Sequence, residues 1–139
     1  MVDPREPVCE VMSRGPISVD EKLTLRSLSC VLSGLDVGVA LVHDAEGAAY
    51  VVSERDIVRA LADGADPDEV WAADIGTNEV VVAETEATVL AVAETMANDG
   101  VRHLPVVEGE QIVGVVSVRD VLPVLATYAR ATLEAGPLR

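Results

Sequence analysis

The residue pattern best suited to chemistry is a serine followed three positions later by an aspartate, which occurs as Ser53 with Asp56 and as Ser117 with Asp120. At the start of a helix such a serine caps free backbone N–H groups, and the carboxylate returns to the amide of the serine. The same helix start suits a phosphate, because its unpaired N–H groups and partial positive charge attract anions. A carboxylate there accepts hydrogen bonds from sugar hydroxyls. The pattern alone favours a helix cap, and contact with a bound anion is a second role that is compatible with the first.

An arginine follows each of these serines by two positions, Arg55 in the first copy and Arg119 in the second. A positive charge near the start of a helix is mildly unfavourable, because the helix dipole is positive there. An ordinary surface role would account for either arginine alone. Because both copies have an arginine at this unfavourable position, a second interpretation is favoured, in which the two arginines neutralise the phosphates of a ligand.

Two other kinds of site find little support. A serine hydrolase would need Ser53 or Ser117 beside His103, but the chain has no Gly-x-Ser-x-Gly sequence and both serines have the position of a cap. Cys9 and Cys30 lie 21 positions apart without a Cys-x-x-Cys pair, so no structural zinc site is predicted. Whether the two thiols pair is left open, although free thiols are commoner inside cells.

The elements that must position these residues come from an internal duplication. Residues 53–56 recur 64 positions later, at residues 117–120. The same offset, without a gap, pairs apolar residues along most of the chain, for example Val42 with Val106, Leu28 with Val92 and Leu32 with Met96. One unit of that length exposes a sheet face that it cannot cover alone, so the two copies must pack together.

Each copy has the periodicity of a short strand, a helix, two strands and a second helix. The first helix opens near Asp20 or Glu84 and ends at Gly34 or at residues 98–100, since glycine tolerates a positive φ. Its apolar stripes are Leu25, Leu28 and Leu32 in one copy, and Val89, Val92 and Met96 in the other. The predicted strands cover residues 17–19, 37–42 and 49–52, then 80–82, 103–107 and 112–116, and a second helix opens at Ser53 and at Ser117.

From about Pro7 to Leu125 the chain resembles a pair of cystathionine-β-synthase (CBS) domains, also called a Bateman module. The resemblance rests on residues 100–107 (Gly-Val-Arg-His-Leu-Pro-Val-Val) and 113–120 of the second copy, and on residues 55–62 of the first. It implies an α/β (α+β) fold of tandem CBS repeats, each β-α-β-β-α, packed as a pseudo-two-fold pair that dimerises into a disc. The expected boundaries are residues 1–66 for the first repeat with an N-terminal segment, 67–127 for the second repeat and 128–139 for a C-terminal tail.

The resemblance also implies a regulatory ligand, an adenine nucleotide (AMP, ADP or ATP) or S-adenosylmethionine, bound in the cleft between the repeats. In the family the hydroxyl lies near the phosphate, the aspartate accepts hydrogen bonds from the ribose, and apolar residues of the first extended piece and first long strand hold the adenine. The ligand-binding residues implied are Ile17, Val39, Leu41, Ser53, Arg55 and Asp56 in one copy, and Val81, His103, Pro105, Ser117, Arg119 and Asp120 in the other. For His103 a partly buried structural role is the first interpretation and the adenine pocket the second. No catalytic residue, metal or required cofactor is expected.

The two copies are unequal at the positions that distinguish these sites. Tyr50 and Leu41 of the first copy correspond to Gly114 and Pro105 of the second, Asp36 corresponds to Gly100, and Gly76 of the second copy corresponds to Met12 of the first. Because glycine lets a ligand or a neighbouring backbone approach closely, its replacement by tyrosine could narrow one pocket. We therefore expect unequal occupancy of the two sites.

The charge of the chain limits its partners. With 10 basic and 24 acidic residues the formal net charge is −14, which disfavours nucleic acid and anionic membranes. The start of the sequence has no basic stretch followed by an apolar run, so a cytoplasmic protein is expected. The sequence favours a homodimeric, nucleotide-responsive sensor that acts on an unidentified regulated protein. The alternative is a ligand-free dimerisation or scaffold module in which the Ser-x-x-Asp motifs are only helix caps.

Overall fold

The computed structural model describes residues 2–47, 49–76 and 81–136. After a short 3-10 helix at Val8–Glu10, the elements follow in chain order: β1 Ser13–Arg14, β2 Ser18–Asp20, α1 Leu25–Leu35, β3 Val39–His43, β4 Ala49–Ser53, α2 Glu54–Ala62, α3 Ala72–Ile75, β5 Ala83–Glu84, α4 Val89–Asp99, β6 His103–Glu108, β7 Gln111–Ser117 and α5 Val118–Glu134. The β-α-β-β-α order predicted for each repeat is confirmed, as β2-α1-β3-β4-α2 and β5-α4-β6-β7-α5.

The chain forms two compact units, each with its own sheet. The first-repeat unit is Pro16–Val80, and the second-repeat unit combines Met1–Gly15 with Val81–Arg139. In the first-repeat unit β3 lies between β2, which is parallel to it, and β4, which is antiparallel. The second-repeat unit has the order β1-β7-β6-β5, in which β5 and β6 are parallel and the other pairs antiparallel.

The first helix of each repeat is fixed by a threonine cap and an apolar stripe. The Thr24 side chain accepts a hydrogen bond from the Ser27 N–H at the start of α1, and the Thr88 side chain accepts one from the Ala91 N–H at the start of α4. The helices therefore begin some residues after Asp20 and Glu84, where the sequence suggested that they open. The stripes predicted from the spacing are confirmed, because each helix buries those residues: Leu25, Leu28 and Leu32, and Val89, Val92 and Met96.

The prediction that Gly34 ends the first helix is wrong. Gly34 lies inside α1, which continues to Leu35 and ends with Asp36 in the left-handed conformation at φ 53°. In the second copy Gly100 holds the same place at φ 66°, as predicted. Aspartate can adopt this conformation because its short polar side chain forms local hydrogen bonds, so the duplication preserves the backbone shape rather than the glycine.

The N-terminal segment packs with the second repeat, although the predicted boundaries of the first repeat, residues 1–66, include it. Val8 is fully buried in the core of the second-repeat unit, and its N–H donates to the Ala87 carbonyl at 2.7 Å. Residue 72, which the 64-residue offset makes the counterpart of residue 8, behaves reciprocally. Ala72 is fully buried in the first-repeat core, and its N–H donates to the Leu23 carbonyl at 2.7 Å. Each unit therefore takes its opening short helix from the other repeat.

The short strand of the second repeat lies later than predicted. The sequence suggested residues 80–82, of which residue 80 lies outside the described residues, but β5 is Ala83–Glu84. The equivalent strand of the first repeat, β2, falls within one residue of its predicted place. Among the helices that the structure describes, none combines the length and apolar character needed to cross a lipid bilayer.

Candidate functional site

The Ser-x-x-Asp motif of the first repeat forms the start of α2. The Ser53 N–H and hydroxyl donate to Oδ2 of Asp56 at 2.8 and 3.1 Å, and the Asp56 N–H donates back to the Ser53 hydroxyl at 3.2 Å. This reciprocal arrangement satisfies backbone donors that a helix start leaves unpaired. The predicted capping role is therefore confirmed.

The second motif repeats the carboxylate contacts at the start of α5. The Ser117 N–H and hydroxyl donate to Oδ2 of Asp120 at 2.8 and 3.2 Å. In both motifs the side chains are half-buried, and among the described residues these contacts engage only one of the two carboxylate oxygens. The cap therefore leaves Oδ1 of Asp56 and of Asp120 with lone pairs for another donor.

Strand register brings the other candidate residues next to these motifs. In the first-repeat unit Val39 of β3 lies opposite Ser53, and the Leu41 N–H donates to the Ile17 carbonyl at 2.7 Å. In the second-repeat unit His103 of β6 lies opposite Ser117. Each unit thus places its motif, its long strand and its first extended segment side by side.

The candidate apolar residues lie on the strand face opposite to the unit's core. Val39 and Leu41 alternate along β3 with the core residues Ala40 and Val42, so their side chains point the other way. Val39, Leu41 and Pro105 are nevertheless buried, with 9% of Val39 and 5% of Leu41 exposed. Other candidates are more open: Ile17 and His103 are half-buried, and Val81, Arg55 and Arg119 are exposed.

Ser117 and His103 are cross-strand neighbours, which is the pair that a hydrolase would need. The Ser117 hydroxyl, however, donates to Asp120 rather than to the imidazole. A nucleophilic serine requires its proton to be held by a base, which here would have to be the imidazole. The arrangement is that of a cap.

Comparison with known proteins identifies the family of the two repeats. A family model described as CBS domain matches residues 8–63 and again residues 72–127. The chain belongs to the CBS domain family. The two CBS repeats together account for most of the described residues.

Relatives and solved structures agree with this assignment. The chain is 32% identical over 136 residues to the protein named "Uncharacterized protein MJ1225" of Methanocaldococcus jannaschii, covering 96% of this chain and 48% of that protein, so it spans about half of that relative's length. It is 25% identical over 122 residues to Hypoxic response protein 1 of Mycobacterium tuberculosis, covering 86% of this chain and 85% of that protein. The CBS domain pair of protein MJ0100, solved in complex with 5′-methylthioadenosine and S-adenosyl-L-methionine, has a similar fold, with a TM-score of 0.78, 22% identity and coverage of 90% of this chain and 99% of that one.

The residues that make the CBS repeats unequal pack against one another inside each unit. In the second-repeat unit a Cβ on Gly114 would lie 2.6 Å from Sδ of Met12 and 2.8 Å from the Ser13 carbonyl. In the first-repeat unit a Cβ on Gly76 would overlap the ring of Tyr50. Met12 therefore lies over Gly114, which is the counterpart of Tyr50. Tyr50 in turn lies over Gly76, which is the counterpart of Met12.

This packing places Tyr50, the counterpart of Gly114, against the core of the first-repeat unit. The expected narrowing of one pocket and the unequal occupancy of the two sites stay predictions. Tyr50 packs against the core together with Val52, whereas Val39 and Leu41 lie on the opposite face of the sheet. Burial, followed by the nearby carboxylates, raises the pKa of the Tyr50 hydroxyl above its ordinary value. The ring packs against the core as a neutral phenol.

The thiols and metal ligands show no organised site in the described part of the chain. Cys9 and Cys30 are free thiols, half-buried and exposed respectively. Within residues 2–47, 49–76 and 81–136, no group of three or more His, Cys, Asp or Glu side chains is arranged to hold a metal ion.

Proposed function

We propose that this chain is a regulatory module that binds an adenosine-containing ligand at the helix starts of its Ser-x-x-Asp motifs. The observation that carries the proposal is the half-engaged carboxylate of Asp56 and Asp120, each held by its serine at a helix start directly after a strand. The complex of the MJ0100 CBS pair with two adenosine compounds supports the same ligand class. The specific nucleotide, and its position between the repeats, stay predictions of the family resemblance.

The chemistry of each site suits the parts of a nucleotide. The second oxygen of Asp56 or Asp120 can accept hydrogen bonds from the vicinal ribose hydroxyls. The N-terminal turn of α2 or α5 provides N–H groups and a partial positive charge for a phosphate, and the exposed Arg55 and Arg119 lie in that turn. This local positive charge is needed because the chain as a whole carries a formal charge of −14 and repels free anions.

A regulatory role follows from ligand sites without an accompanying reaction centre. The serine hydroxyls serve as cap groups, so the described motif has no activated nucleophile. In this proposal the ligand changes the relative populations of two arrangements of a cytoplasmic homodimer, and a regulated partner protein responds to that change. The dimer, the partner and the compartment are part of the proposal.

Calorimetric titration of the whole chain with AMP, ADP, ATP, S-adenosylmethionine and 5′-methylthioadenosine tests this function. We expect at least one compound to bind, and Asp56→Asn or Asp120→Asn to weaken its binding roughly tenfold or more, because a buried sugar hydroxyl then loses a charged acceptor. Asp99→Asn, an equal change of charge at an exposed position, is the matched control and should leave binding unchanged. Absence of binding by all five compounds at millimolar concentration would overturn the proposal.

A ligand-free scaffold is the second candidate, because the serine of each motif already donates to its aspartate without a ligand and Val39, Leu41 and Pro105 are already buried. In that case Ser53→Ala and Ser117→Ala would each lower the free energy of unfolding by about 1 kcal/mol, the ordinary cost of a lost cap. No compound in the titration series would raise the melting temperature. A nucleotide that stabilises the wild-type chain but not Asp120→Asn would exclude the scaffold as the whole function.

A further inference from the structure

Two opening segments dock on the repeats through matching backbone hydrogen bonds. The first opening segment (residues 2–15) packs in the second-repeat unit, and the second opening segment (residues 66–76) packs in the first-repeat unit. Three hydrogen bonds of 2.7 to 3.2 Å, each from an N–H to a carbonyl, recur at the 64-residue offset: Val8 to Ala87, Cys9 to Thr85 and Val89 to Glu6 in one docking, and Ala72 to Leu23, Ala73 to Glu21 and Leu25 to Val70 in the other. Because nearly every residue offers the same backbone groups, these bonds do not determine which segment a unit accepts.

Side-chain size distinguishes the two dockings. Met12 of the first opening segment lies over Gly114, whereas Gly76 of the second lies against the Tyr50 ring. On the first-repeat unit, the first opening segment would place Met12 at the position of Gly76, where even a Cβ overlaps the Tyr50 ring. On the second-repeat unit, the second opening segment would place Gly76 over Gly114 and leave a cavity in place of the Met12 side chain. Each unit therefore accepts one segment and disfavours the other.

The joint between the first opening segment and the first repeat is Gly15–Pro16, where the two compact units divide. Gly15 is exposed with φ 67°, and nothing lies within 4 Å of its Cβ position. Beyond this joint, Val8 and Met12 of the segment are buried in the second-repeat core. The same contacts can form with the second-repeat unit of another copy, and the two arrangements then differ only at the joint.

We propose that the second-repeat unit also accepts the first opening segment of a second copy, so that two copies swap residues 2–15. Met12 and Gly114 restrict the swap to second-repeat units. The partner is another chain of the same sequence, and the inference goes beyond the proposed function because it requires no nucleotide. Apolar packing and backbone hydrogen bonds hold the segment, while each copy carries a formal charge of −14. Salt screens the repulsion between the copies and therefore favours the swap.

Cross-linking of thiols in the whole chain tests the swap. The double variant Cys30→Ser, Thr85→Cys retains Cys9 and adds a thiol next to it, because the Cys9 N–H donates to the Thr85 carbonyl at 3.2 Å. A short bis-maleimide joins residues 9 and 85 within one chain when the segment is docked on its own copy, and between two chains when it is swapped. Denaturing electrophoresis separates the monomeric product from the dimeric one. Cys30→Ser alone, which retains only Cys9, is the matched control for random cross-linking.

We expect the dimeric product after unfolding and refolding at about 1 mM protein, which is near the effective concentration that a short linker gives to a tethered segment. The yield of dimer should rise with salt concentration and fall when the protein is refolded at higher dilution. Monomeric product alone at every protein and salt concentration would overturn the proposal. An equal yield of dimer from Cys30→Ser alone would overturn it as well.

A change at the joint should increase the swap. Gly15→Ala is strained at φ 67° while the joint is closed, and the strain is relieved once the joint opens. We therefore expect the yield of dimer to rise roughly fivefold or more at the same protein concentration. Gly109→Ala is the matched control, because Gly109 has φ 63° in the exposed turn between β6 and β7, and it should leave the yield unchanged. Equal yields from the two variants would contradict a swap through Gly15.

A probe thiol on the first-repeat unit tests the selectivity of Met12. Glu21 is the counterpart of Thr85, and with Cys30→Ser, Glu21→Cys we expect no dimeric product between residues 9 and 21. Adding Met12→Gly and Tyr50→Gly removes the overlap, so that a dimeric product should then form. As much dimer through residue 21 as through residue 85 with Met12 present would overturn the selectivity, as would its absence after both glycine changes. If the glycine variant fails to fold, the comparison of the two probe positions still decides the question.

Discussion

The first-repeat and second-repeat units solve one packing problem with their large and small residues exchanged. In the second-repeat unit Met12, from the N-terminal segment, lies over Gly114 of β7. In the first-repeat unit Tyr50 of β4 lies over Gly76, at the end of α3. The 64-residue offset makes Met12 the counterpart of Gly76 and Tyr50 the counterpart of Gly114. The duplicated halves have therefore diverged by compensating pairs, and neither residue of a pair can be interpreted alone.

The largest effect is expected for Gly114→Ala, because the new methyl group would meet both Met12 and the carbonyl of Ser13, which belongs to the backbone of β1. We expect the free energy of unfolding to fall by roughly 1 to 3 kcal/mol, the usual range for an overpacked core. Urea denaturation followed by circular dichroism measures it. Gly34→Ala is the control, since nothing lies within 4 Å of its Cβ position inside α1 and alanine favours a helix.

Gly76→Ala should also destabilise the chain, but its partner can relieve the clash. The overlapping atoms belong to the Tyr50 ring, and the next atom, the Ala72 carbonyl oxygen, is 3.5 Å from the new Cβ. The cost of Gly76→Ala should therefore largely vanish in a Tyr50→Ala background. The cost of Gly114→Ala should persist in a Met12→Ala background, because the Ser13 carbonyl at 2.8 Å remains. Equal rescue in both double-mutant cycles would contradict the difference between the units.

A smaller effect is expected where the first helix of each repeat ends. Gly100→Ala forces a side chain into the left-handed conformation at φ 66° and should cost about 1 kcal/mol. Gly100→Asp, which copies Asp36 of the first repeat, should cost less because aspartate tolerates this conformation. Thermal unfolding of the two variants gives the comparison. If aspartate costs as much as alanine, Asp36 is strained in the first repeat as well.

The smallest effect concerns a surface ion pair that the offset does not reproduce. Arg26 donates to the two oxygens of Asp68 at 2.6 and 3.1 Å, while the counterpart of Arg26 in the second repeat is the exposed Leu90. The hydrogen bond from Arg26 lowers the pKa of Asp68, so the pair stabilises the fold above the ordinary pKa of an aspartate, and this contribution is lost as pH falls through the lowered value. Arg26→Leu should therefore cause a slight loss of stability at pH 7 that decreases in acid and in high salt. A loss independent of both pH and salt would point to packing by the arginine stem instead.

Much of each repeat could be predicted from local pattern. The stripes of α1 and α4, the order of the elements along each repeat and the caps at Ser53 and Ser117 depend on residues near one another in the sequence, where periodicity and capping chemistry act directly. Because the sequence is duplicated, the same pattern of helices and strands could be predicted independently in each copy.

Features that join distant residues could not be predicted in the same way. The pairing of Tyr50 with Gly76 and the place of Val8 among second-repeat residues depend on long-range packing that periodicity does not encode. For the twelve ligand-binding residues the sequence supplied candidates, and their role stays a prediction.

The exchange of opening helices has a consequence for how the chain is made. Val8 is synthesised before the first repeat, yet the core that receives it includes Val106 and Val116, which are synthesised after that repeat. Until then the segment around Val8 lacks its packing partners. A nascent chain stalled after the first repeat should therefore be cleaved by protease around Val8, at a site that the finished protein buries.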